Sequence, residues 1–399
     1  MTTSFSADKQ LVRSGSVVAV VAILLAALNL RLAVTSVGPV LAEIRAGLGM
    51  SGTVAGLLTS LPVVCFASVG FAAPRLARRF GAATVIAAGL AVLTLGLIIR
   101  AYAPSTVLFV LFSAVALAGI AVVNVLLPMI VKERFADRAG MLTGLYSLSL
   151  NLGAAGAAAA TVPLTAALHD DWRLGLAAWA LLAVLAVPPW LALRSPPPGS
   201  ASPGGATPTR HLRVIREPVA WALAVYFGMQ STSAYVIIGW LPQIFRDAGL
   251  TPSTAGVLFA VTSFLGVPLG FLVTSYAGRV RSQSLIALAL GVAGIAGYAG
   301  LWFDPAAAPW VCAVLLGIGN CAFPLVLTMI TLRGRTPATV VRLSAFGQGV
   351  GYLMAIPGPI LVGVLHDATG GWRVPLALMV ALMIPQIIGG VQAGRDRQV

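Results

Sequence analysis

The sequence predicts an all-α membrane protein whose 12 transmembrane helices form two pseudosymmetric six-helix bundles. Three observations lead there. The chain is 59% hydrophobic and only 9% charged, with a mean hydropathy of +0.97, where a soluble domain carries about 25% charged residues. Its 399 residues divide, between charges, into twelve apolar stretches that each supply the roughly 20 residues needed to cross a bilayer. Finally, the second half of the chain repeats features of the first.

The first stretch, 14–42, holds Arg31 as the only charge between Arg13 and Glu43. An arginine in mid-span costs about 2.5–3.5 kcal/mol on insertion scales, so an anionic or strongly polar ligand is the first candidate to offset it. The guanidinium offers five donors in a planar fork suited to planar anions. A structural arginine held by backbone carbonyls, or one reaching for the interface, is the alternative. Thr35 shares its helix face at i+4 and is a candidate pocket donor; Asn29 does not share that face. Stretches 46–74 and 80–99 follow, then 101–131, where Asn124 precedes Pro128 by four residues. Proline removes the hydrogen bond to the carbonyl of residue i−4, so Asn124 sits at a potential kink, as hinge or as ligand contact. Stretch 139–168 carries Asn151 and 174–193 completes the first six.

Residues 194–216 form the only long polar segment, and SPPPGSASPGGATPTR reads as a flexible or extended linker. It divides the chain into an N-terminal bundle (1–193), a cytoplasmic linker (194–216) and a C-terminal bundle (217–399). Stretch 218–245 contains GMQSTSAYVIIGW, the most polar interior run, with Gln230, Ser233 and Tyr235 as cavity candidates. Stretches 248–278 and 282–303 are apolar. In 305–332, Asn320 precedes Pro324 as Asn124 precedes Pro128. Stretch 343–365 places Gln348 and Tyr352 on one face, and 374–394 is the last.

Shifting the chain by 200 residues superposes LAEIRAGLGMSGTVAGLL (41–58) on LPQIFRDAGLTPSTAGVL (241–258), and HDDWR at 169–173 recurs as HDATGGWR at 366–373. With the two Asn–Pro pairs, three matches in the same order argue for a parallel repeat of six-helix units, which places a ligand site at their interface near the midplane. Arg31 then corresponds to Ser231, so its charge is not duplicated. Of 25 basic residues, 19 fall on one side of the spans and 5 on the other, Arg31 apart. The excess of Lys and Arg places both termini in the cytoplasm, of a bacterial cell membrane.

Composition also excludes. A net charge of +14 reflects basic loops flanking spans, with no basic run interleaved with aromatics, so nucleic acid is not an expected partner. Cys65, Cys312 and Cys321 lie within apolar runs without pairing, histidines are sparse, and neither a metal nor a cofactor is expected. All eleven acidic residues fall at span boundaries. Glu43 and His366 are the only coupling candidates, so a proton-carrying carboxylate inside the spans is not expected. No cluster of nucleophile, base and metal ligands points to an enzyme, and the C-terminal tail GRDRQV is too short for a signalling domain of a membrane sensor. Gly144, Gly153, Gly156, Gly347, Gly349 and Gly351 are expected to permit close helix approach.

These features together resemble the major facilitator superfamily over the whole chain. The strings NLRLAVTSVGP (29–39), PRLARRFG (74–81), RAGMLTGLYS (138–147) and GYLMAIPGPILVGVLHDATGGW (351–372) resemble its cyanate permease and 2-nitroimidazole transporter family. The resemblance implies a monomeric transporter working by alternating access, secondary active or facilitative. Its expected cargo is a small polar or anionic solute: a cyanate-like anion, a small carboxylate or a nitroimidazole. Two departures stand out. Pro74 replaces the aspartate usual in the loop after the second span, and the fifth span, NLGAAGAAAATVP, lacks the Gly-Pro motif of drug/proton antiporters. Drug or xenobiotic efflux on the same fold remains the alternative.

Overall fold

Short polar caps and prolines begin the spans. Ser51, Ser105, Thr251 and Thr336 each accept a hydrogen bond from the backbone three residues on, satisfying first-turn N–H groups that have no intrahelical partner. Pro218, Pro252, Pro309 and Pro337 occupy the first helical turn, where the missing N–H is harmless. The computed structural model describes residues 2–69, 72–135, 138–193 and 214–397. Most of the linker, 194–213, lies outside the described residues, as do Gly70 and Phe71 of the loop after span two.

Among the described residues, eleven helical segments are long and apolar enough to cross a membrane, with one shorter apolar helix between the first two of them. Span one comprises Thr2–Thr35, a turn at Gly38–Val40 and Leu41–Leu48; span two is the shorter helix, Gly52–Ser68. Span three is Ala82–Ala101, span four Thr106–Arg134 and span five Ala139–Ala167; span six is Trp172–Ala178 continued by Ala180–Ala192. Span seven is Pro218–Asp247, span eight Pro252–Phe264 with Gly266–Ala277, and span nine Ser284–Phe303. Span ten is Pro309–Asn320 with Ala322–Arg333, span eleven Pro337–Ala355 with Pro357–Thr369, and span twelve Arg373–Ala393. Prolines 268, 324 and 357 lie at or just after three of these interruptions, each removing a backbone donor. Pro74 opens a separate basic helix, Ala73–Phe80, between spans two and three.

The repeat is visible in matching contacts. Gly49 and Gly249 end corresponding helices with φ of 62° and 92°, a left-handed region that favours glycine. A Cβ on Gly47 would lie 3.0 Å from the Trp172 indole nitrogen; at the equivalent corner Trp372 donates to Asp247 at 2.8 Å. Gly56 of span two faces the Pro359 carbonyl of span eleven, and Gly256 of span eight faces the Ala158 carbonyl of span five. These two crossings hold the halves together near the face opposite the termini, called here the far face.

At Gly56 an added Cβ would strike the Pro359 carbonyl and come within 2.8 Å of the Ile360 Cα. Gly56→Ala is therefore expected to cost about 1–3 kcal/mol by overpacking and to lower transport. Gly144→Ala and Gly349→Ala, with nothing within 4 Å of an added Cβ, leave both intact. Melting temperature and expression-matched uptake check this contrast, which also corrects the expectation that all six glycines permit close approach. Gly153 does, against the Leu28 carbonyl, and Gly351 against Phe227 and Ala224; Gly347 is in ordinary contact range of Ile330 and Leu223, and Gly144, Gly156 and Gly349 face open space.

Candidate functional site

Span one presents different faces to different neighbours. Asn29 is 1% exposed and donates to the Leu25 and Leu182 carbonyls at 2.9 and 3.1 Å, tying span one to span six. Arg31 turns away from that contact and is half-buried. Its guanidinium makes no hydrogen bond or ion pair among the described residues. The phenols of Tyr146 (span five), Tyr235 (span seven) and Tyr352 (span eleven) all lie within electrostatic reach of it. None of the three makes a hydrogen bond among the described residues. Tyr352 stacks edge-on against Phe227 at 4.9 Å between ring centroids and tilts against Phe66 at 6.3 Å. Arg31 thus shares its neighbourhood with tyrosines drawn from both halves.

The other predicted residues divide. Thr35 donates its hydroxyl proton to the Arg31 carbonyl at 2.9 Å, so it offers a ligand only an acceptor. Gln230 is 1% exposed, donates to Asn320 Oδ1 at 2.7 Å and receives Gln386 at 2.9 Å. It also reaches the Asn320 carbonyl at 3.4 Å, the acceptor that Pro324 leaves free. Gln230 therefore packs inside the second half as a bridge among spans seven, ten and twelve. Ser233 pairs with Tyr298 at 2.8 Å, leaving Tyr235 as the residue of that polar run within electrostatic reach of Arg31. Ser231 is buried with an unpartnered hydroxyl. Gln348 donates to Ser344 at 2.6 Å on the face it shares with Tyr352. Asn151 donates to the Ser147 carbonyl at 2.8 Å and points toward Gly266 of span eight. Asn124 is half-buried and has no partner among the described residues, and its helix continues through Pro128. The two Asn–Pro pairs are thus alike in sequence and different in structure.

At the far face the halves are bolted together. Arg246 donates to both Glu43 oxygens, at 2.6 and 2.8 Å, and to the Pro39 carbonyl at 3.0 Å. Arg45 pairs with Asp367 at 3.2 Å, and Asp367 also accepts from the Thr53 amide at 3.0 Å. His366 stands 3.9 Å from both Asp247 and Asp367 and stacks on Trp372. Ser60 reaches the Ile356 carbonyl at 2.9 Å. The hydrogen bonds and ion pairs placed between described residues of the two halves run from Ser60 outward to this face. Glu43, a predicted coupling candidate, has both oxygens held by Arg246.

Arg31 is not the sole charge inside the spans. Arg100 is 1% and Arg333 2% exposed, both more buried than Arg31, because neighbouring helices cover the span ends that the sequence marks as boundaries. Arg333 is satisfied by the Ala393 and Gly394 carbonyls, at 2.8 and 2.9 Å, and by Gln283. It closes the C-terminal end of span twelve, where cations are favoured.

The architecture of two pseudosymmetric six-helix bundles agrees with the comparison to known families: the model of the Major Facilitator Superfamily matches residues 23–359. The chain belongs to the major facilitator superfamily. It is a multi-pass membrane transporter of that fold. The 2-nitroimidazole transporter of Escherichia coli (strain K12) is 37% identical over 96% of this superfamily member and 97% of its own length. The cyanate transport protein CynX of the same strain is 32% identical over 91% and 94%. The uncharacterized transporter YycB of Bacillus subtilis (strain 168) is 35% identical over 94% and 93%. The solved structure of a D-xylose-proton symporter superposes with a TM-score of 0.77 at 13% identity, over 96% of this chain and 100% of that one. That of the nucleoside transporter NupG gives 0.76 at 12%, over 95% and 98%. These structural likenesses carry the fold alone.

Arg100, Tyr146 and the far-face bolt were missed from sequence. Tyr146 lies within RAGMLTGLYS (138–147), but no pattern separates it from an ordinary core aromatic. Arg246 and Glu43 are 203 residues apart, and only the repeat alignment, which places 41–58 beside 241–258, hinted that they share a face.

Proposed function

We propose that this protein is an alternating-access carrier of a small planar solute bearing a negative charge or a nitro group, bound by Arg31. The supporting observation is the half-buried Arg31 guanidinium, without a partner among the described residues and with three phenols within electrostatic reach. An oxygen-rich planar group accepts two parallel hydrogen bonds from such a fork, and the ring faces of Tyr352 and Phe66 suit a flat molecule. Cyanate, a small carboxylate and a 2-nitroimidazole share this acceptor chemistry, and relatives named for two of them match over nearly the whole chain. Export of a nitroaromatic xenobiotic is the second reading, favoured by the 2-nitroimidazole relative.

The bundles 1–193 and 217–399 rock about the bound solute, joined by the 194–216 linker, and the carrier works as a monomer. With both termini in the cytoplasm of a bacterial cell, as the distribution of Lys and Arg indicates, the far face is external and the bolted arrangement is the inward-facing state. Glu43 acts as a gate residue, because Arg246 holds both its oxygens.

Uptake of radiolabelled cyanate, benzoate and 2-nitroimidazole into proteoliposomes, with each competing against the others, tests the reading. Saturable flux of at least one is expected; no flux across the panel overturns it. Tyr235→Phe is expected to weaken affinity about 3–10-fold, the worth of one hydrogen bond. Thr35→Val leaves affinity nearly unchanged, its hydroxyl being occupied by its own helix.

A further inference from the structure

Arg100 ends span three beneath the closed far face, and its surroundings differ from those of Arg333. It donates one hydrogen bond, from Nη2 to the Ala33 carbonyl at 3.2 Å, while its Nε is buried with no acceptor. Ser113 of span four is 1% exposed, and its hydroxyl is likewise buried without a partner. Both residues line one cleft, whose walls are otherwise mainly apolar side chains of spans one, two, four and seven. Thr59 is the one other hydroxyl there, and it gives its proton to the Gly56 carbonyl at 2.9 Å. No carboxylate lines the cleft among the described residues.

A buried guanidinium with one carbonyl contact leaves its charge uncompensated, and an isolated buried charge is costly. Water would satisfy the idle donor but not the charge. We infer that this cleft is a second anion site, distinct from the Arg31 cavity, which takes a small monovalent, weakly hydrated anion between the Arg100 guanidinium and the Ser113 hydroxyl. Two polar groups among apolar walls fit a halide or a cyanate-sized ion and not a multivalent oxyanion. Ile238 and Gly239 of span seven complete the lining, and Gly38 packs against the Ile238 carbonyl. The site is therefore whole only while the far face is closed, so the anion favours that state by its differential affinity.

The test uses the full-length purified Arg31→Gln protein, in which the central site is disabled. Sodium chloride and sodium cyanate are each compared with sodium gluconate at equal ionic strength, reading Tm. A concentration-dependent rise of several degrees is expected, since a ligand that binds only the folded state raises stability by mass action. The rise should vanish when Arg100→Gln is added and weaken several-fold with Ser113→Ala. If Arg100→Gln does not fold, Ser113→Ala decides, because it removes only a hydroxyl. A rise with both salts identifies a resident inorganic anion; a rise with cyanate alone identifies a station on the solute's path. No rise with either salt, or one unchanged by Ser113→Ala, overturns the inference.

Discussion

Arg31→Lys is expected to insert and fold normally while losing transport by at least an order of magnitude. Lysine keeps the positive charge, so the insertion cost and the field on the three phenols are nearly retained. It loses the planar fork, and with it one of two parallel charge-assisted hydrogen bonds to a carboxylate or nitro group. A hydrogen bond to a charged partner is worth about 1.5–3 kcal/mol, or roughly 10–150-fold in affinity. Arg31→Gln removes the charge as well and should lower affinity for an anion further than for a neutral nitroimidazole. Measuring Kd for both solutes in both variants separates the contributions. Equal affinities in wild type and Arg31→Gln would rule out ligand contact, since Arg31 has no partner among the described residues whose loss would mask the effect.

Arg31 was legible in the sequence because a lone charge in a long apolar run is a one-dimensional signal. The fold was legible for a similar reason, through length, hydropathy and the repeat. The tyrosines were legible in part. Tyr235 and Tyr352 stand out beside other polar residues of their spans, whereas nothing marks Tyr146, since an aromatic in a membrane helix reads equally well as packing. Arg100 looked like a loop residue since it stands next to last in its helix; that span four and span one cover it sideways leaves no trace in its neighbours. The matching Asn–Pro pairs misled in an instructive way. Gln230 supplies the amide that meets Asn320 and its freed carbonyl, while the equivalent position in the first half is Leu30. Asn124 therefore has no partner there, and the symmetry of the motif breaks at its neighbour.

Glu43→Gln should open the far face. Arg246 is held by both Glu43 oxygens and one carbonyl, and its side chain is only 16% exposed. Replacing the carboxylate by an amide leaves a mostly covered cation with only neutral acceptors, the new amide oxygen and the Pro39 carbonyl. Because Glu43 itself is 35% exposed, solvent screening limits the loss to about 1–2 kcal/mol, or roughly 5–30-fold in the ratio of closed to open far face. A cysteine placed at Val37, buried beneath the bolt, in a background with the three native cysteines removed, reports this ratio. Its labelling by a membrane-impermeant thiol reagent should rise about tenfold in Glu43→Gln. Arg246→Glu alone sets two carboxylates against each other and should open the face further. Combining it with Glu43→Arg restores an opposite-charge pair across the same gap and should return labelling toward the wild-type rate. That recovery separates a gate from a proton site, since a carboxylate that carried protons could not be moved to the partner helix without loss of coupling. If labelling stays at the wild-type rate in both single variants, the Glu43–Arg246 pair does not hold the far face shut, and closure rests on the Arg45–Asp367 pair and the Gly56 and Gly256 crossings.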